Sequence, residues 1–162
     1  MVLRELRKKD AEFMLEWMHD SNVVAYLGKN FASKTIEDCQ NFIEESVQNP
    51  GDGRNFAIVD DNDEYMGTIS LKNIEWDKKR AEYAISCRTK AMGKGFARKA
   101  TEELFLYAAE KLGLTLIYLY VRPSNIRAQK LYHKVGFEET EKPEFIREKF
   151  DEEMLWFQKA LQ

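Results

Sequence analysis

Several residue types and sequence patterns are scarce in this chain of 162 residues, and each scarcity excludes a class of protein. The two cysteines, Cys39 and Cys87, form neither a metal-binding spacing nor a disulfide framework, so both are expected to be reduced thiols. No apolar run approaches the roughly 18 residues that a membrane-spanning helix needs. The first residues, 1–13, lack the apolar core of a secretory signal. These absences predict a soluble, cytoplasmic protein with no metal site and no membrane partner.

Positive charge is not in excess either. The chain has 25 Lys and Arg against 28 Asp and Glu, a net charge of −3, and its pI is about 5.6. A nucleic-acid partner would require a basic surface, so none is expected. The length suits one domain over residues 1–162, and the sequence shows no internal repeat, low-complexity segment or linker.

Hydrophobic periodicity predicts seven strands separated by helices. The strands are Val2–Arg7, Asn55–Asp60, Tyr65–Ile74, Arg80–Cys87, Leu114–Val121, Phe137–Thr140 and Met154–Lys159. The first helix is capped by Asp10, and a short helical or irregular segment, Ser21–Lys29, ends at Gly28. A capping box at Thr35–Asp38 opens a helix with an apolar stripe of Ile36, Cys39, Phe42, Ile43 and Val47. This order predicts an α/β or α+β fold with helices on both faces of a mixed, mostly antiparallel sheet.

A glycine-containing loop, Met92-Gly93-Lys94-Gly95-Phe96-Ala97, leads directly into a long amphipathic helix, Phe96–Leu112. Its free N–H groups and the positive end of the helix dipole would suit an anion such as a pyrophosphate. The loop is neither a Walker loop, since no Gly-Lys-Ser/Thr ends it, nor a complete dinucleotide fingerprint. On local spacing alone, a simple tight turn is the commoner explanation.

Alternation along Arg80–Cys87 assigns its residues to two faces of the sheet. Ala81, Tyr83, Ile85 and Cys87 would face the core, whereas Glu82 would share the other face with the small residues Ala84 and Ser86. A carboxylate beside small side chains leaves space for a substrate. The alternative is that Glu82 is a surface carboxylate paired with Arg80 or Lys79.

Two motifs give the chain its resemblance to a known family. The glycine loop is similar to Gln/Arg-x-x-Gly-x-Gly/Ala, and Asn125-Ile-Arg-Ala-Gln-Lys-Leu-Tyr132-His-Lys-Val-Gly136-Phe137 matches a second motif almost completely. Together they resemble the GNAT superfamily of acyl-CoA-dependent N-acetyltransferases, over nearly the whole chain and most strongly from Tyr65 to Glu138. The N-terminal segment resembles the branch with ribosomal-protein N-terminal, spermidine and amino-sugar acetyltransferases.

The resemblance implies a seven-stranded sheet splayed between the fourth and fifth strands, with acetyl-CoA as co-substrate. Main-chain groups of the loop would bind the pyrophosphate, and Asn125 would also contact the cofactor. The implied cofactor-binding residues are Ile85, Ser86 and Cys87 for the pantetheine arm, Met92, Gly93, Lys94, Gly95, Phe96 and Ala97 in the loop, and Asn125. Met92 departs from the family's Gln or Arg, and Lys90 or Lys94 is a candidate for the missing charge.

The resemblance further implies an enzyme that transfers the acetyl group by direct attack of a primary amine. Glu82 is the candidate base, directly or through water, and Tyr132 is the candidate acid, although its position also suits a core tyrosine. The acceptor would be a peptide or small molecule: an N-terminal amine, a polyamine, which needs several carboxylates, or an amino sugar. The alternative is a catalytically silent acyl-CoA-binding module, and a homodimer is compatible with the resemblance.

Four aromatic or histidine side chains and one charged segment complete the sequence expectations. Trp17, His19, Tyr26 and Trp76 are candidates for the acceptor pocket, with ordinary packing as the default. Cys87 is expected to be a buried, inert thiol rather than a covalent acyl carrier. The charged run Glu141–Glu153 is expected to be a solvated hairpin or loop rather than an independent site.

Overall fold

The computed structural model describes residues 1–27 and 29–162, so the predicted segment end at Gly28 lies outside the described residues. The strands are β1 Leu3–Glu5, β2 Arg54–Val59, β3 Tyr65–Glu75, β4 Arg80–Cys87, β5 Leu116–Val121, β6 Glu138–Thr140 and β7 Leu155–Ala160. The helices are α1 Ala11–Met18, α2 Ser21–Val24, α3 Ile36–Gln48, α4 Phe96–Glu110 and α5 Ile126–Lys134. The predicted elements are confirmed, with ends that differ by a few residues.

All seven strands form one sheet in the order β1-β2-β3-β4-β5-β7-β6. Every neighbouring pair is antiparallel except β4 and β5, which are parallel. The parallel pair requires a crossover, and the loop, α4 and the connection after it provide that crossover. The predicted α/β fold with a mixed, mostly antiparallel sheet is confirmed.

The sheet splays apart within its only parallel pair. Strands β4 and β5 are aligned only from Arg80–Glu82 to Leu116–Tyr118. Beyond that point the rest of β4 pairs with β3 alone, and the rest of β5 pairs with β7 alone. A gap therefore opens between the two strands where the sequence resemblance implied it.

Alternating side chains bury a separate core on each face of the sheet. On one face Ile69, Leu71 and Tyr83 pack with residues of α4 and α5, including Leu104. On the other face Ala57 and Tyr65 pack with Met14 and Trp17 of α1 and with Cys39 and Ile43 of α3. Helices therefore cover both faces, as the order of strands and helices in the sequence predicted.

Two expectations about the N-terminal helices were wrong. Asp10 does not cap α1 with its side chain: its carboxylate accepts the Arg7 amide and pairs with Arg4 at 2.8 Å, because a turn of 3-10 helix precedes α1. The capping box of Thr35 and Asp38 is confirmed. The stripe predicted for α3 is only half buried, however: Cys39 and Ile43 reach the core, whereas Ile36, Phe42 and Val47 are exposed.

The segment 141–153 contains no helix or strand. Its aromatic residues Phe145 and Phe150 pack beside Tyr118 and Trp156 of the sheet, so the segment lies against the fold and is not fully solvated. No helix among the described residues is both long enough and apolar enough to cross a membrane.

Candidate active site

A cavity of about 760 Å³ opens at the gap between β4 and β5. Strands β2, β3 and β4 supply one wall, α1 and α3 cover it, and the end of β5 with α5 forms the opposite side. Residues of the segment 141–153 also line it, including Glu148, Phe150 and Asp151. This run forms no independent site, but its packing on the sheet places some of its residues at the cavity.

The strand wall of the cavity is a ladder of cross-strand pairs. Residues on one face of β3 lie opposite residues on the same face of β4. The pairs that line the cavity are Thr68 with Ser86, Ser70 with Ala84, and Lys72 with Glu82. The register is regular from Gly67 to Lys72, so the parity predicted for Glu82, Ala84 and Ser86 holds.

Glu82 is the half-buried carboxylate of this wall. Burial raises its pKa, partly offset by the positive charge of Lys72 and a 3.3 Å hydrogen bond that Asn73 Nδ2 donates to it. Arg80 instead pairs with Glu75 at 2.6 Å, so the alternative of a surface Arg80–Glu82 pair is wrong. A carboxylate with a raised pKa can hold and release a proton closer to neutral pH than an exposed one.

Tyr132 projects from α5 into the same cavity. Its ring packs at right angles to the Tyr83 ring, with 5.8 Å between centroids, which fixes its direction. Within the described part of the chain, every fully buried polar side-chain atom has a hydrogen-bond partner. The Tyr132 hydroxyl, which bonds to no described residue, meets the cavity instead. Burial raises its pKa, so the hydroxyl carries its proton at neutral pH.

Asn125 begins α5 as predicted. Its Oδ1 accepts a hydrogen bond from the amide of Ala128 at 3.2 Å, and its side chain also lines the cavity. Asn125 can therefore cap α5 and line the cavity at the same time, because the helix it caps begins beside the gap between β4 and β5.

The glycine loop leaves the start of α4 open. Gly93 and Gly95 adopt left-handed backbone angles, with φ of +76° and +84°. Gly95 precedes α4 with no side-chain cap, and the first amide of the helix with an acceptor is that of Lys99, bonded to the Gly95 carbonyl. The first turn of α4 has no acidic residue. This arrangement presents free N–H groups and the positive helix end to an anion.

A cation lies at the position where the loop departs from the family motif. The guanidinium of Arg127, in the first turn of α5, contacts the sulfur of Met92. Lys90, one of the two lysines expected to replace the missing charge, is already paired with Glu64 at 2.7 Å. Arg127 was missed because it is distant in sequence; only the meeting of the two helix starts reveals it.

The predicted site residues divide into three groups. Glu82, Ile85, Ser86, Asn125 and Tyr132 line one cavity. The loop residues Met92, Gly93, Lys94, Gly95, Phe96 and Ala97 lie beside α5, through the contact of Met92, but do not line that cavity. Cys87 packs against the core but is half-buried rather than fully buried as expected. Burial raises the pKa of its thiol to about 12, so the thiol carries its proton at neutral pH.

Among the other pocket candidates, Trp17 and Tyr26 line the cavity, whereas His19 and Trp76 do not. The sequence reasoning missed Lys72. The same alternation that assigned Glu82 to one face of β4 could have found it, since Thr68, Ser70 and Lys72 share a face of β3. Across residues 1–27 and 29–162, no group of three or more His, Cys, Asp or Glu side chains is arranged to hold a metal ion.

Comparison with known families decides the assignment. The family model "Acetyltransferase (GNAT) domain" matches residues 1–138. The chain belongs to the GNAT acetyltransferase family. This confirms the resemblance read from the two motifs, and with it the assignment as an acetyl-CoA-dependent N-acetyltransferase.

Curated GNAT relatives share about a quarter of their residues with this chain. A spermidine N(1)-acetyltransferase of Vibrio cholerae is 26% identical over 139 residues, covering 86% of this chain and 79% of the relative. An uncharacterized N-acetyltransferase, p20, of Bacillus licheniformis is 28% identical over 142 residues, covering 85% of this chain and 79% of the relative.

A solved structure of another N-acetyltransferase has the same fold. It is spermidine N-acetyltransferase from Vibrio cholerae in complex with CoA and spermine. The TM-score is 0.81 at 23% identity, covering 98% of this chain and 94% of that one. The likeness confirms the GNAT fold predicted from the sequence.

Proposed function

We propose that this N-acetyltransferase moves the acetyl group from acetyl-CoA directly to a primary amine held in the same cavity. The observation that carries the proposal is the meeting of Glu82, from β4, and Tyr132, from α5, at one cavity at the splay of the sheet. One group can accept a proton and the other can donate one, as aminolysis of a thioester requires.

The cofactor would lie across the gap with its pyrophosphate on the glycine loop. The backbone of Ile85–Cys87 has no β5 partner, so its free side can bind the amides of the pantetheine arm. The open start of α4 and the Arg127 guanidinium would bind the pyrophosphate. Asn125 would hold the start of α5 beside the arm.

The reaction then needs one nucleophilic attack, the loss of two protons from the acceptor nitrogen and the protonation of the departing sulfur. Glu82, directly or through a water, removes a proton from the acceptor ammonium, and the neutral nitrogen attacks the thioester carbonyl carbon. As the tetrahedral intermediate collapses, the new C–N bond remains and the C–S bond breaks. The departing CoA sulfur takes its proton from the Tyr132 hydroxyl, and the second proton of the acceptor nitrogen passes through water to restore that hydroxyl as the amide forms. No acyl-enzyme is formed, which agrees with the raised pKa of the Cys87 thiol, because a protonated thiol is a poor nucleophile.

The proposal is tested by CoA release from acetyl-CoA with a panel of primary amines. Initial rates are measured while the concentrations of both substrates are varied, and double-reciprocal plots of these rates should give intersecting lines. Mass spectrometry should find no acetylated enzyme. Parallel lines with acetyl on Cys87 would contradict direct transfer. Binding of acetyl-CoA without release on any amine would favour the silent acyl-CoA module instead.

Replacing Tyr132 by Phe should lower kcat by about ten-fold or more, the usual contribution of a general acid. Affinity for acetyl-CoA should hardly change, because the ring still packs on Tyr83. CoA release and calorimetric titration with acetyl-CoA measure the two quantities.

The matched control is Tyr107→Phe, since Tyr107 packs on Phe56 away from the cavity lining. Tyr120→Phe tests a competitor, because Tyr120 lines the same cavity. Unchanged turnover in Tyr132→Phe, or a larger loss in Tyr120→Phe, would remove Tyr132 as the acid.

Replacing Arg127 by Gln should weaken acetyl-CoA binding by about ten-fold, the effect of one charge-assisted hydrogen bond to phosphate. Calorimetric titration with acetyl-CoA measures the change in Kd. Lys130→Gln is the control, because Lys130 is exposed on the same helix and makes no contact with Met92. Equal affinities of the two variants would show that the loop amides alone bind the pyrophosphate.

A further inference from the structure

Lys72 is the cation at the centre of the strand wall. It is half-buried, faces the cavity and lies directly opposite Glu82 in the β3–β4 ladder. Within residues 1–27 and 29–162 it forms no salt bridge and no hydrogen bond through its ammonium group. The neighbouring positions on the same face of β3 are the uncharged Thr68 and Ser70.

The surroundings of Lys72 disfavour the charged form of its side chain. Burial and the positive charge of Lys29 lower the Lys72 pKa, while the carboxylates of Glu82 and Glu148 raise it. A buried charge with a purely structural role is normally paired and hydrogen-bonded. A lysine kept at a cavity wall without such a partner has its donors available to a ligand.

Charged side chains of both signs line the cavity. The positively charged ones are Lys29, Lys34, Lys72, Arg122 and Lys149, and the negatively charged ones are Asp38, Glu82, Glu148 and Asp151. Several are already engaged by the protein. Arg122 pairs with Asp151 and Glu152, and Asp38 bonds to Thr35 in the capping box of α3. The bonds to the neutral Thr35 leave the charge of Asp38 in place. Outside the Arg122–Asp151 pair the cavity is therefore lined by four lysines and three carboxylates, Asp38, Glu82 and Glu148, and the balance of charge is positive.

This balance opposes a polyamine. A polyamine brings several ammonium groups and needs a carboxylate for each. Of the three carboxylates outside an ion pair, however, Glu82 is required as the base and Asp38 is held in the capping box of α3. An acceptor that carries its own negative charge near the amine fits better, since the amine can meet Glu82 while the anion meets Lys72 across the ladder.

We propose that the acceptor is a primary amine that also carries an anionic group, a carboxylate or a phosphate, and that Lys72 binds this anion. The inference rests on the transfer reaction proposed above and assigns its substrate class. Lys72 is then a specificity-determining residue, while the proton transfers remain with Glu82 and Tyr132. Lys29 and Lys34, at the same cavity, add to the attraction without needing direct contact.

Paired amines that differ only in the anion provide the test. One pair is an α-amino acid and its carboxamide, a second is a phosphorylated amino sugar and its unphosphorylated parent, and spermidine represents the polyamines. Each is assayed with the wild type, with Lys72→Met, which keeps the length of the side chain, and with Lys78→Met, the same change at an exposed lysine away from the cavity.

The anionic member of one pair should have a kcat/KM at least about ten-fold above its neutral analogue, and Lys72→Met should abolish this preference. Loss of the Lys72 charge also raises the pKa of Glu82 and slows both members of a pair alike, so the readout is the ratio of their kcat/KM values rather than either rate alone. Turnover and anion preference of Lys78→Met should stay within about two-fold of wild type, as for a surface change. The pair that shows the effect identifies the anion as carboxylate or phosphate.

Faster turnover of spermidine than of either anionic amine, or an anion preference that survives in Lys72→Met, would overturn the inference and leave the transfer reaction supported. Calorimetric titration of the same amines into the CoA-loaded protein detects the opposite case, in which the substrate class is right but the transfer reaction is wrong. Binding that depends on Lys72 without CoA release from acetyl-CoA would support the inference and contradict the transfer reaction. Absence of both binding and release for every amine would contradict both.

Discussion

Replacing Glu82 by Gln should lower kcat/KM by about one hundred-fold or more, because an amide cannot accept the proton of the acceptor ammonium. The pH profile should change as well. In the wild type, activity should fall on the acid side as Glu82 gains a proton, above the ordinary glutamate range because burial raises its pKa. The variant should lack this limb. CoA release measured across the pH range gives both results.

The same substitution should not weaken the fold. A carboxyl whose pKa is raised on folding favours the folded state at low pH, and this contribution is lost as pH rises from its ordinary value through the raised one. Gln has no such dependence, so the free energy of unfolding of Glu82→Gln should equal or exceed that of the wild type at neutral pH. Thermal unfolding on either side of that window measures the difference.

Glu75→Gln is the matched control for Glu82→Gln. Glu75 is on the same sheet but pairs with Arg80, which lowers its pKa, and it does not line the cavity. Turnover should stay near wild type and the fold should not gain stability at neutral pH. Wild-type turnover in Glu82→Gln would show that another group is the base. The same conclusion would follow if activity of the variant still fell on the acid side of its pH profile.

Replacing Gly95 by Asp should weaken acetyl-CoA binding by about one hundred-fold or more, since a carboxylate at the start of α4 repels the pyrophosphate at short range. A side chain would also be strained at φ +84°, although no atom lies within 4 Å of an added Cβ. Loss of affinity therefore comes from charge and local conformation rather than a clash. Titration with acetyl-CoA measures Kd, and thermal unfolding checks that the variant folds.

Two further variants separate charge from strain at Gly95. Gly95→Ala adds the backbone strain alone and should lose less affinity than Gly95→Asp. Gly51→Asp adds the same side chain to an exposed loop, at a left-handed glycine that likewise has nothing within 4 Å, and should bind acetyl-CoA normally. Wild-type affinity in a folded Gly95→Asp would refute the anion site at the loop.

Local sequence rules predicted those parts of the site that depend on local structure. Alternation along β4 assigned Glu82 to the correct face, and Asn125 and Thr35 cap their helices as their side chains predict. The role of Tyr132 rested on the resemblance, since spacing alone suits a core tyrosine equally. The structure adds that its hydroxyl meets the cavity.

The features that escaped prediction depend on contacts between distant segments. Asp10 fits a cap by spacing, but its carboxylate is already bonded to Arg4 and to the Arg7 amide. The exposed Phe42 on α3 looks like core because periodicity does not state how much of a helix is covered. The position of the segment 141–153 at the cavity and the contact of Arg127 with Met92 likewise depend on tertiary packing, so no local sequence pattern predicts them.

The short pairing of β4 with β5 gives this protein a sheet edge in its interior. Edge strands usually lie at the outside of a sheet, where unpaired N–H and C=O groups invite association with other chains. Here the unpaired groups of Tyr83–Cys87 lie within a gap that is flanked by α5 and the end of β5. The gap shields them from another sheet, yet a thin extended molecule with its own amides can enter. The same backbone groups that would promote aggregation at an outer edge are therefore accessible here only to a molecule narrow enough to enter the gap.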